Sequence, residues 1–295
     1  KEAAVFVPSG TMANQVALKI LTHHGDEVVL GQETHMVWHE AGAGAANSGV
    51  QFMQIGQGGL FSPEEFRLAF KPAGHFMFPA TTLVAIENTH NRGGGVLFPQ
   101  KDAIAICDFA RANGARTYLD GARLFNAAIV AGLSPKELSA PFDVVSVALS
   151  KGLGCPVGSV VAGSKADMAR AMRVRRIFGG AMRQGGILAA AGLYALDNNM
   201  ARLPEDHANA RLIAERIAGA KTVRLDLATV QSNIVIFHMK DGAPDAASIA
   251  ARARAEGVLL SVFAARTLRA VTHLDVTRDQ CVRAADIVAR VIERG

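Results

Sequence analysis

The chain has 295 residues, of which 50% are hydrophobic and 19% are charged, so it can bury a large core and is long for a single compact domain. Its formal net charge is +5, but the basic residues are scattered and form no run interleaved with aromatic side chains, which argues against a nucleic-acid partner. Because it has three cysteines, too few for a disulfide framework or a zinc site, and no run of about eighteen apolar residues, we expect a cytoplasmic protein without a membrane span.

Short apolar runs rich in Val and Ile alternate with helical patterns along the first two thirds of the chain. Two of the helical patterns cover residues 11–24 and 99–114. Apolar strands that alternate with helices predict an α/β domain with a mostly parallel sheet covered on both faces. Ligands of such sheets bind beyond the carboxyl ends of the strands. The predicted strands are 3–7, 27–31, 49–55, 83–88, 116–121, 143–149 and 157–163.

The pattern changes near residue 200, where a second, smaller α/β unit begins. We therefore divide the chain into a large domain of residues 1–200 and a small C-terminal domain of residues 201–295. The chain starts at Lys1 without a methionine and enters a strand at once, so we expect that an upstream segment precedes it. The elements predicted for the small domain are helices 203–220, 243–257 and 277–295 and strands 233–239, 258–263 and 267–274.

Polar side chains at three predicted strand ends are candidates for chemistry. Ser9, Gly10 and Thr11 lie between a strand and a helix, where backbone N–H groups and the helix dipole bind phosphate, although an ordinary helix cap explains them equally well. Asp120 ends the strand in "TYLDGAR", where its carboxylate can hold a cation such as a protonated ring nitrogen; capping of the next helix is the alternative. Lys151 follows the strand in "SVALSKGLG", where its charge requires a partner.

Together, these three features indicate pyridoxal phosphate as the cofactor. The helix start would hold the phosphate, Asp120 would pair with the pyridine nitrogen, and Lys151 would bond to the aldehyde. A dinucleotide-binding site is a weaker interpretation, because the glycines of "GAGAANSG" at 42–49 have the wrong spacing for one.

Several longer segments are specific enough to compare with known families. They are "KEAAVFVPSGTMAN", "HMVWHEAGAG", "ENTHN", "YLDGARLFNA", "LSKGLGCPVGS", "MRQGGILAAAGLYAL" and "VTHLDVTR". In these segments the chain resembles the fold type I pyridoxal-phosphate enzymes and, within them, the low-specificity L-threonine aldolases of the aromatic amino acid beta-eliminating lyase superfamily.

This resemblance implies a transferase-like fold with a mostly parallel seven-stranded sheet domain and a small C-terminal α/β domain. It implies cleavage of L-threonine, L-allo-threonine and related β-hydroxy-α-amino acids to glycine and an aldehyde. A related pyridoxal-phosphate lyase, with β-elimination, phenylserine aldolase or serine hydroxymethyltransferase-like activity, is the alternative.

Individual roles follow from the resemblance as well. Arg123 and Arg269 correspond to the pair that clamps the substrate carboxylate, a bidentate task that suits planar guanidinium groups. The catalytic residues that the resemblance implies are Lys151, His35, which stacks on the cofactor and is a candidate base, and His75, a second histidine that acts on the substrate. The cofactor-binding residues that it implies are Ser9, Gly10, Thr11, His35, Asp120, Lys151 and Arg183.

Two further expectations concern metals and assembly. His35 and His39 are four residues apart, a spacing also found in zinc sites, but the sequence offers no third ligand or HExxH pattern, so we expect no metal. The resemblance assigns Glu40 and Glu87 structural or proton-relay roles. It also implies a homotetramer, a dimer of dimers with sites shared between subunits, and the apolar, glycine-rich helix at 184–196 fits close helix packing.

Overall fold

A computed structural model describes residues 1–294 and divides the chain into two compact units. The first contains residues 1–92 and 97–200, and the second contains residues 93–96 together with the chain from Ala201 onward. The short segment 93–96, which the sequence places in the large domain, belongs to the second unit because Gly95 packs directly on Ser232, whose Oγ donates to the Gly95 carbonyl at 2.9 Å.

A seven-stranded, mostly parallel sheet forms the centre of the first unit, which confirms the predicted fold class. Strands β2 to β6 are parallel, and β7 is antiparallel to both β6 and β1, so β1 points in the same direction as β6. The sheet order is β1-β7-β6-β5-β4-β2-β3, with β1 (Ala3–Val7), β2 (Glu27–Gly31), β3 (Gln51–Ile55), β4 (Thr81–Glu87), β5 (Arg116–Gly121), β6 (Val144–Ala148) and β7 (Ser159–Gly163).

Helices cover both faces of this sheet, which explains why its strands are continuously apolar. The eight α-helices of the unit are α1 (Gly10–Leu21), α2 (His35–Trp38), α3 (Pro63–Ala69), α4 (Gln100–Ala112), α5 (Leu124–Ala131), α6 (Pro135–Ser139), α7 (Lys165–Ile177) and α8 (Gly186–Asn198). On one face, α1 and α7 contribute buried side chains such as Leu18 and Met168. On the other face, α3, α4 and α5 contribute Phe66, Ile106 and Leu124.

The second unit has its own core around a four-stranded antiparallel sheet. Its strands, in the order β10-β11-β9-β8, are β8 (Val223–Arg224), β9 (Ile234–Met239), β10 (Ser261–Ala264) and β11 (Thr267–Val271), and its helices are α9 (Leu203–Ala218), α10 (Ala246–Ala255) and α11 (Arg278–Glu293). The apolar faces of α9 and α11 bury Ile217 and Val288 together with Phe237 of β9. Every helix within residues 1–294 is too short or too polar to cross a membrane.

Strand direction brings four chain segments to one edge of the large sheet. The carboxyl ends of β1, β5 and β6 meet there because these strands point the same way. Strand β7 runs in the opposite direction and starts at this edge, so its first residue, Ser159, pairs with Val7 on one side and Ala148 on the other.

Close approach of β5 and β6 at this edge requires glycine at position 121. A Cβ on Gly121 would lie 2.6 Å from the Ser146 carbonyl oxygen and 3.2 Å from the Leu124 Cβ. We expect Gly121→Ala to lower the free energy of unfolding by about 1–3 kcal/mol, because overpacking displaces the backbone. Denaturant unfolding at fixed protein and cofactor concentrations would measure this difference.

Gly219, at the end of α9, provides the matched control. Its φ of −69° suits alanine, and the atom nearest to an added Cβ lies 3.7 Å away. Gly219→Ala should therefore leave stability unchanged or raise it by up to about 1 kcal/mol. Equal stability of the two variants would contradict the close-approach argument.

Candidate active site

A cavity of about 130 Å³ opens at the edge of the sheet where these strand ends meet. Five of the residues predicted from the sequence line it, namely Gly10, Thr11, His35, Asp120 and Lys151. Its other lining residues are Asn14, Ala122, Ser146, Ala148 and Ser159. The anion-binding turn, the strand-end carboxylate and the lysine therefore face one enclosed space.

Lys151 lies in a tight turn that follows β6. The Leu149 N–H donates to the Gly158 carbonyl at 2.9 Å, and the Cys155 N–H donates to the Leu149 carbonyl at 3.1 Å. The Lys151 carbonyl accepts from the Gly154 N–H at 2.8 Å. These bonds fix the backbone of the turn, so the half-buried Lys151 side chain extends from a fixed backbone position at the cavity wall.

The start of α1 offers backbone donors to the cavity. Ser9 itself is exposed, and its Oγ accepts from the Met12 N–H at 3.1 Å, so this side chain is the helix cap, the alternative that the sequence left open. The Ser9 carbonyl accepts from the Ala13 N–H at 3.1 Å. The amides of Gly10 and Thr11, the first two of the helix, are left at the positive end of the helix dipole.

Ser159 supplies a hydroxyl to the same part of the cavity. Its Oγ is buried and has no hydrogen-bond partner within residues 1–294, and it would lie 3.7 Å from a Cβ at Gly10. A buried polar group without a partner costs about 1–3 kcal/mol, so this wall is built for a ligand with strong acceptor atoms. An anionic group such as the phosphate of pyridoxal phosphate fits these donors.

Asp120 also lines the cavity and is held by two hydrogen bonds. Its Oδ1 accepts from the Ala122 N–H at 3.2 Å, and its Oδ2 accepts from the Asn14 Nδ2 at 2.9 Å. The cap residue of α5 is Arg123, so helix capping does not account for Asp120. Hydrogen bonds to a carboxylate favour its charged form, which suits Asp120 to pair with a protonated ring nitrogen.

His35 is fixed by two buried glutamates. Its backbone N–H donates to Glu87 Oε2 and its Nδ1 bonds to Glu40 Oε1, both at 2.7 Å. Burial disfavours the charged imidazole, but the Glu40 hydrogen bond and the charges of Asp120 and Glu40 outweigh burial and the nearby Lys151 charge, so the pKa of His35 is raised. Because Nδ1 faces a carboxylate, Nε2 is the nitrogen that can take up a proton.

His39 lies beside His35, with a ring-centroid separation of 5.3 Å and an interplanar angle of 45°. Across residues 1–294, no three His, Cys, Asp or Glu side chains are grouped to hold a metal ion.

Four predicted residues of the first unit lie outside the cavity wall, namely Ser9, which caps α1, and three others. His75 is exposed in the loop between α3 and β4, where its ring stacks on Phe78 with centroids 4.1 Å apart. Arg183 is exposed in the turn before α8. Arg123 is buried directly after β5, two residues beyond Gly121. Their roles stay predictions.

Arg269 lies in the second unit, on β11. Its guanidinium carbon is 4.5 Å from the centroid of the Phe263 ring, and its Nη2 is 3.5 Å from Ser261 Oγ. Burial lowers the pKa of Arg269 from its ordinary value. A guanidinium that is partly desolvated in this way is suited to binding a carboxylate, which is the predicted role.

Sequence reasoning missed three polar residues of the cavity wall. Asn14 lies one helical turn after Gly10 on α1, and Ser146 lies on β6 beside Asp120 of β5. Ser159 is the first residue of β7. Each is a polar side chain inside an otherwise apolar helix face or strand, and this pattern was the available signal. The antiparallel direction of β7, which brings Ser159 to the site, could not be inferred from the residues.

This sheet, with a lysine, a carboxylate and an anion-binding helix start around one cavity, defines the class of fold type I pyridoxal-phosphate-dependent enzymes. A profile of the beta-eliminating lyase family matches residues 1–240. The low specificity L-threonine aldolase of Escherichia coli K12 is 40% identical over 289 residues, which cover 97% of this chain and 83% of that protein. Low-specificity L-threonine aldolase 1 of Arabidopsis thaliana is 37% identical over 94% of this chain and 79% of that protein.

Solved structures agree with this assignment of the fold. The structure of Leishmania major threonine aldolase superposes with a TM-score of 0.82 at 19% identity, covering 98% of this chain and 84% of that chain. The chain belongs to the beta-eliminating lyase family, as the sequence resemblance predicted.

The contacts of His35 predict how its titration responds to Glu40. Glu40→Gln removes a negative charge and the acceptor of the charged imidazole, whereas the effect of burial stays. We therefore expect the pKa of His35 to fall, so that its titration moves to lower pH. Histidine-labelled NMR would follow it, with the signal assigned by its loss in His35→Asn.

Glu64→Gln is the control for this measurement. Glu64 is exposed on α3 and pairs with Arg67, so its loss should leave the His35 titration unchanged. If the pKa of His35 did not fall in Glu40→Gln, the hydrogen bond would not be what raises it.

Proposed function

We propose that this protein is a pyridoxal-phosphate-dependent aldehyde-lyase that cleaves L-threonine, L-allo-threonine and related β-hydroxy-α-amino acids to glycine and an aldehyde. The observation that carries this proposal is the single cavity lined by Lys151, Asp120 and the start of α1. The 40% identity to a low specificity L-threonine aldolase over 97% of the chain supports the substrate class.

When bound, pyridoxal phosphate supplies an aldehyde that bonds to amines and a ring that withdraws electrons from the substrate Cα. The amine of Lys151 would hold the cofactor's aldehyde, and Asp120 would pair with a protonated ring nitrogen. The amides of Gly10 and Thr11 and the hydroxyl of Ser159 would bind the phosphate.

Arginines orient the substrate. Arg123 and Arg269 bind its carboxylate, and a bidentate guanidinium contact fixes which bond at Cα is aligned for cleavage. His35 takes the proton of the β-hydroxyl group at Nε2. Cleavage would turn the hydroxyl oxygen into the carbonyl oxygen of the aldehyde. The electron pair of the broken Cα–Cβ bond would take up a proton at Cα, so that the proton lost from the hydroxyl group is balanced by the one gained in glycine.

The protein is proposed to act as a homotetramer in the cytoplasm. The supporting feature for assembly is α8, where Ile187, Leu193 and Tyr194 have relative exposures of 77%, 65% and 65% in the single chain. An apolar helix surface of this kind is typical of subunit contacts. His75 and Arg183, both exposed, would complete sites shared between subunits. Three buried cysteines without disulfides agree with a reducing compartment.

The direct test is incubation of the purified protein and cofactor with L-threonine. Equal amounts of glycine and acetaldehyde should form, and the protein should show a visible absorbance band from the cofactor bonded to Lys151. Lys151→Ala should lose this band and reduce kcat by about a thousandfold or more, as expected when a covalent catalyst is removed.

Lys165→Ala, at an exposed position that begins α7, is the matched control and should behave like the wild type. Release of ammonia and a 2-oxo acid would indicate β-elimination instead. A wild-type protein that stays colourless with the cofactor would rule out the proposed function.

Assembly is tested by light scattering after size-exclusion chromatography. We expect a tetramer for the wild type and smaller species for Ile187→Glu and Leu193→Glu, because a buried unpaired carboxylate opposes association. Leu68→Glu, on α3 at 80% exposure, should leave the mass unchanged. A monomeric wild type, or a tetramer in all three variants, would contradict α8 as a subunit contact.

A further inference from the structure

One side-chain amide connects two buried carboxylates at the cavity. Asn14, on α1, donates from its Nδ2 to Asp120 Oδ2 at 2.9 Å and to Glu40 Oε1 at 2.6 Å. An amide nitrogen carries two hydrogens, so both donors of Asn14 are used. All three side chains are buried, where a carboxylate without donors is strongly disfavoured.

The two carboxylates determine which way this amide points, and the hydroxyl of Tyr118 bonds to its other end. Tyr118 lies on β5 and its hydroxyl is 2.6 Å from Asn14 Oδ1 and 2.7 Å from Ser146 Oγ. Because Oδ1 can only accept, Tyr118 donates to it and in turn accepts from Ser146. A reversed amide would place its oxygen against two carboxylates, so this chain of hydrogen bonds allows one orientation.

We propose that Asn14 and Tyr118 are positioning residues that hold the Asp120 carboxylate toward the cofactor's ring nitrogen and connect it, through Glu40, to His35. This inference rests on the proposed function. The connection is continuous, since His35 Nδ1 bonds to Glu40 Oε1, the same oxygen that accepts from Asn14. Residues on two sides of the cavity are therefore fixed by one shared donor.

Charge explains why a shared donor matters here. Glu40 also accepts from Gln15 Nε2 at 2.7 Å, and Asp120 also accepts from the Ala122 N–H. Each carboxylate therefore has another donor besides Asn14. Two nearby carboxylates repel each other, and loss of the donor between them would favour protonation or displacement of one. The titratable groups around Asp120 are Tyr118, Glu40, His35 and Lys151.

The alternative is that the network only stabilises the packing of α1 on the sheet. A structural role of this kind predicts a lower unfolding temperature and a cofactor that binds and absorbs as in the wild type. A positioning role predicts changes in the cofactor itself, whatever happens to the unfolding temperature. The two roles therefore differ in cofactor affinity, in the visible spectrum and in kcat.

Tyr118→Phe is the decisive variant, because it removes one hydroxyl and keeps the ring volume. Titration of the apoprotein with pyridoxal phosphate should show a dissociation constant raised by about threefold to tenfold, the effect of one lost hydrogen bond. The pH midpoint of the visible absorbance change should move upward by about 0.5–1 unit. The reason is that a ring nitrogen that holds its proton less firmly withdraws fewer electrons from the bond to Lys151.

Asn14→Ala extends the test. It removes donors to two charged groups, so the dissociation constant should rise by about tenfold to a hundredfold, and kcat for L-threonine should fall more than KM changes. Asn113→Ala, at the exposed end of α4, is the matched control and should match the wild type in every readout. If Asn14→Ala did not fold, Tyr118→Phe alone would decide the question.

The proposal would be overturned if Tyr118→Phe bound pyridoxal phosphate with the affinity and the pH midpoint of the wild type. A wild-type protein without a visible band or threonine cleavage would instead refute the proposed function, and with it the basis of this inference. The two outcomes are distinguishable, because the first requires a wild-type protein that binds the cofactor and cleaves L-threonine, whereas in the second the wild-type protein does neither.

Discussion

The site depends on holding two carboxylates close together inside a folded protein. Glu40 and Asp120 are both buried, where a carboxylate without hydrogen-bond donors is strongly disfavoured. The donors come from α1, whose Asn14 and Gln15 reach both groups. With these charges held, His35 has a fixed acceptor and a raised pKa, and the cavity has one wall that favours a cation. The amides at the start of α1 and the Ser159 hydroxyl, which belong to the same cavity, favour an anion. A zwitterionic aromatic cofactor suits this separation of charge.

Sheet topology makes this arrangement possible. Side chains that are far apart in sequence meet because β1, β5 and β6 end at the same edge and β7 begins there. The register places Asp120 opposite Ser146 on one side and Glu87 on the other. Neighbouring strands thus supply a carboxylate that lines the cavity, a hydroxyl that bonds to Tyr118 and the acid that holds the His35 backbone. The helices on both faces keep the strands in place, so polar groups cluster only where the sheet ends.

Much of the fold and part of the site could be predicted from the sequence, because the signals for them lie within short stretches of the chain. Short runs with apolar side chains predicted three strands, β1, β2 and β5, with the bounds that the structure has, because a polar residue, a proline or a glycine lies at or beside the ends of each run. Asp120 and Lys151 stood out as charges at strand ends. Asn14, Tyr118 and Ser159 did not, since an asparagine in a helix, a tyrosine in a strand and a serine near glycines are ordinary until their neighbours are known. Residues 93–96, which the sequence places in the large domain, pack with the second unit, and their packing partners lie more than a hundred residues away in the chain.

Helix α1 contributes two features of the site, the anion-binding amides at its start and the Asn14 side chain. Gly10 and Asn14 are one helical turn apart, so the anion-binding amides and the donor to the carboxylates are separated by about 6 Å of rigid helix. Flexible loops do not set this spacing. If α1 shifts as a body, both contacts shift together and the distance between them is conserved. A substitution in the contact between α1 and the sheet would therefore displace the anion-binding amides and the donor to the carboxylates together.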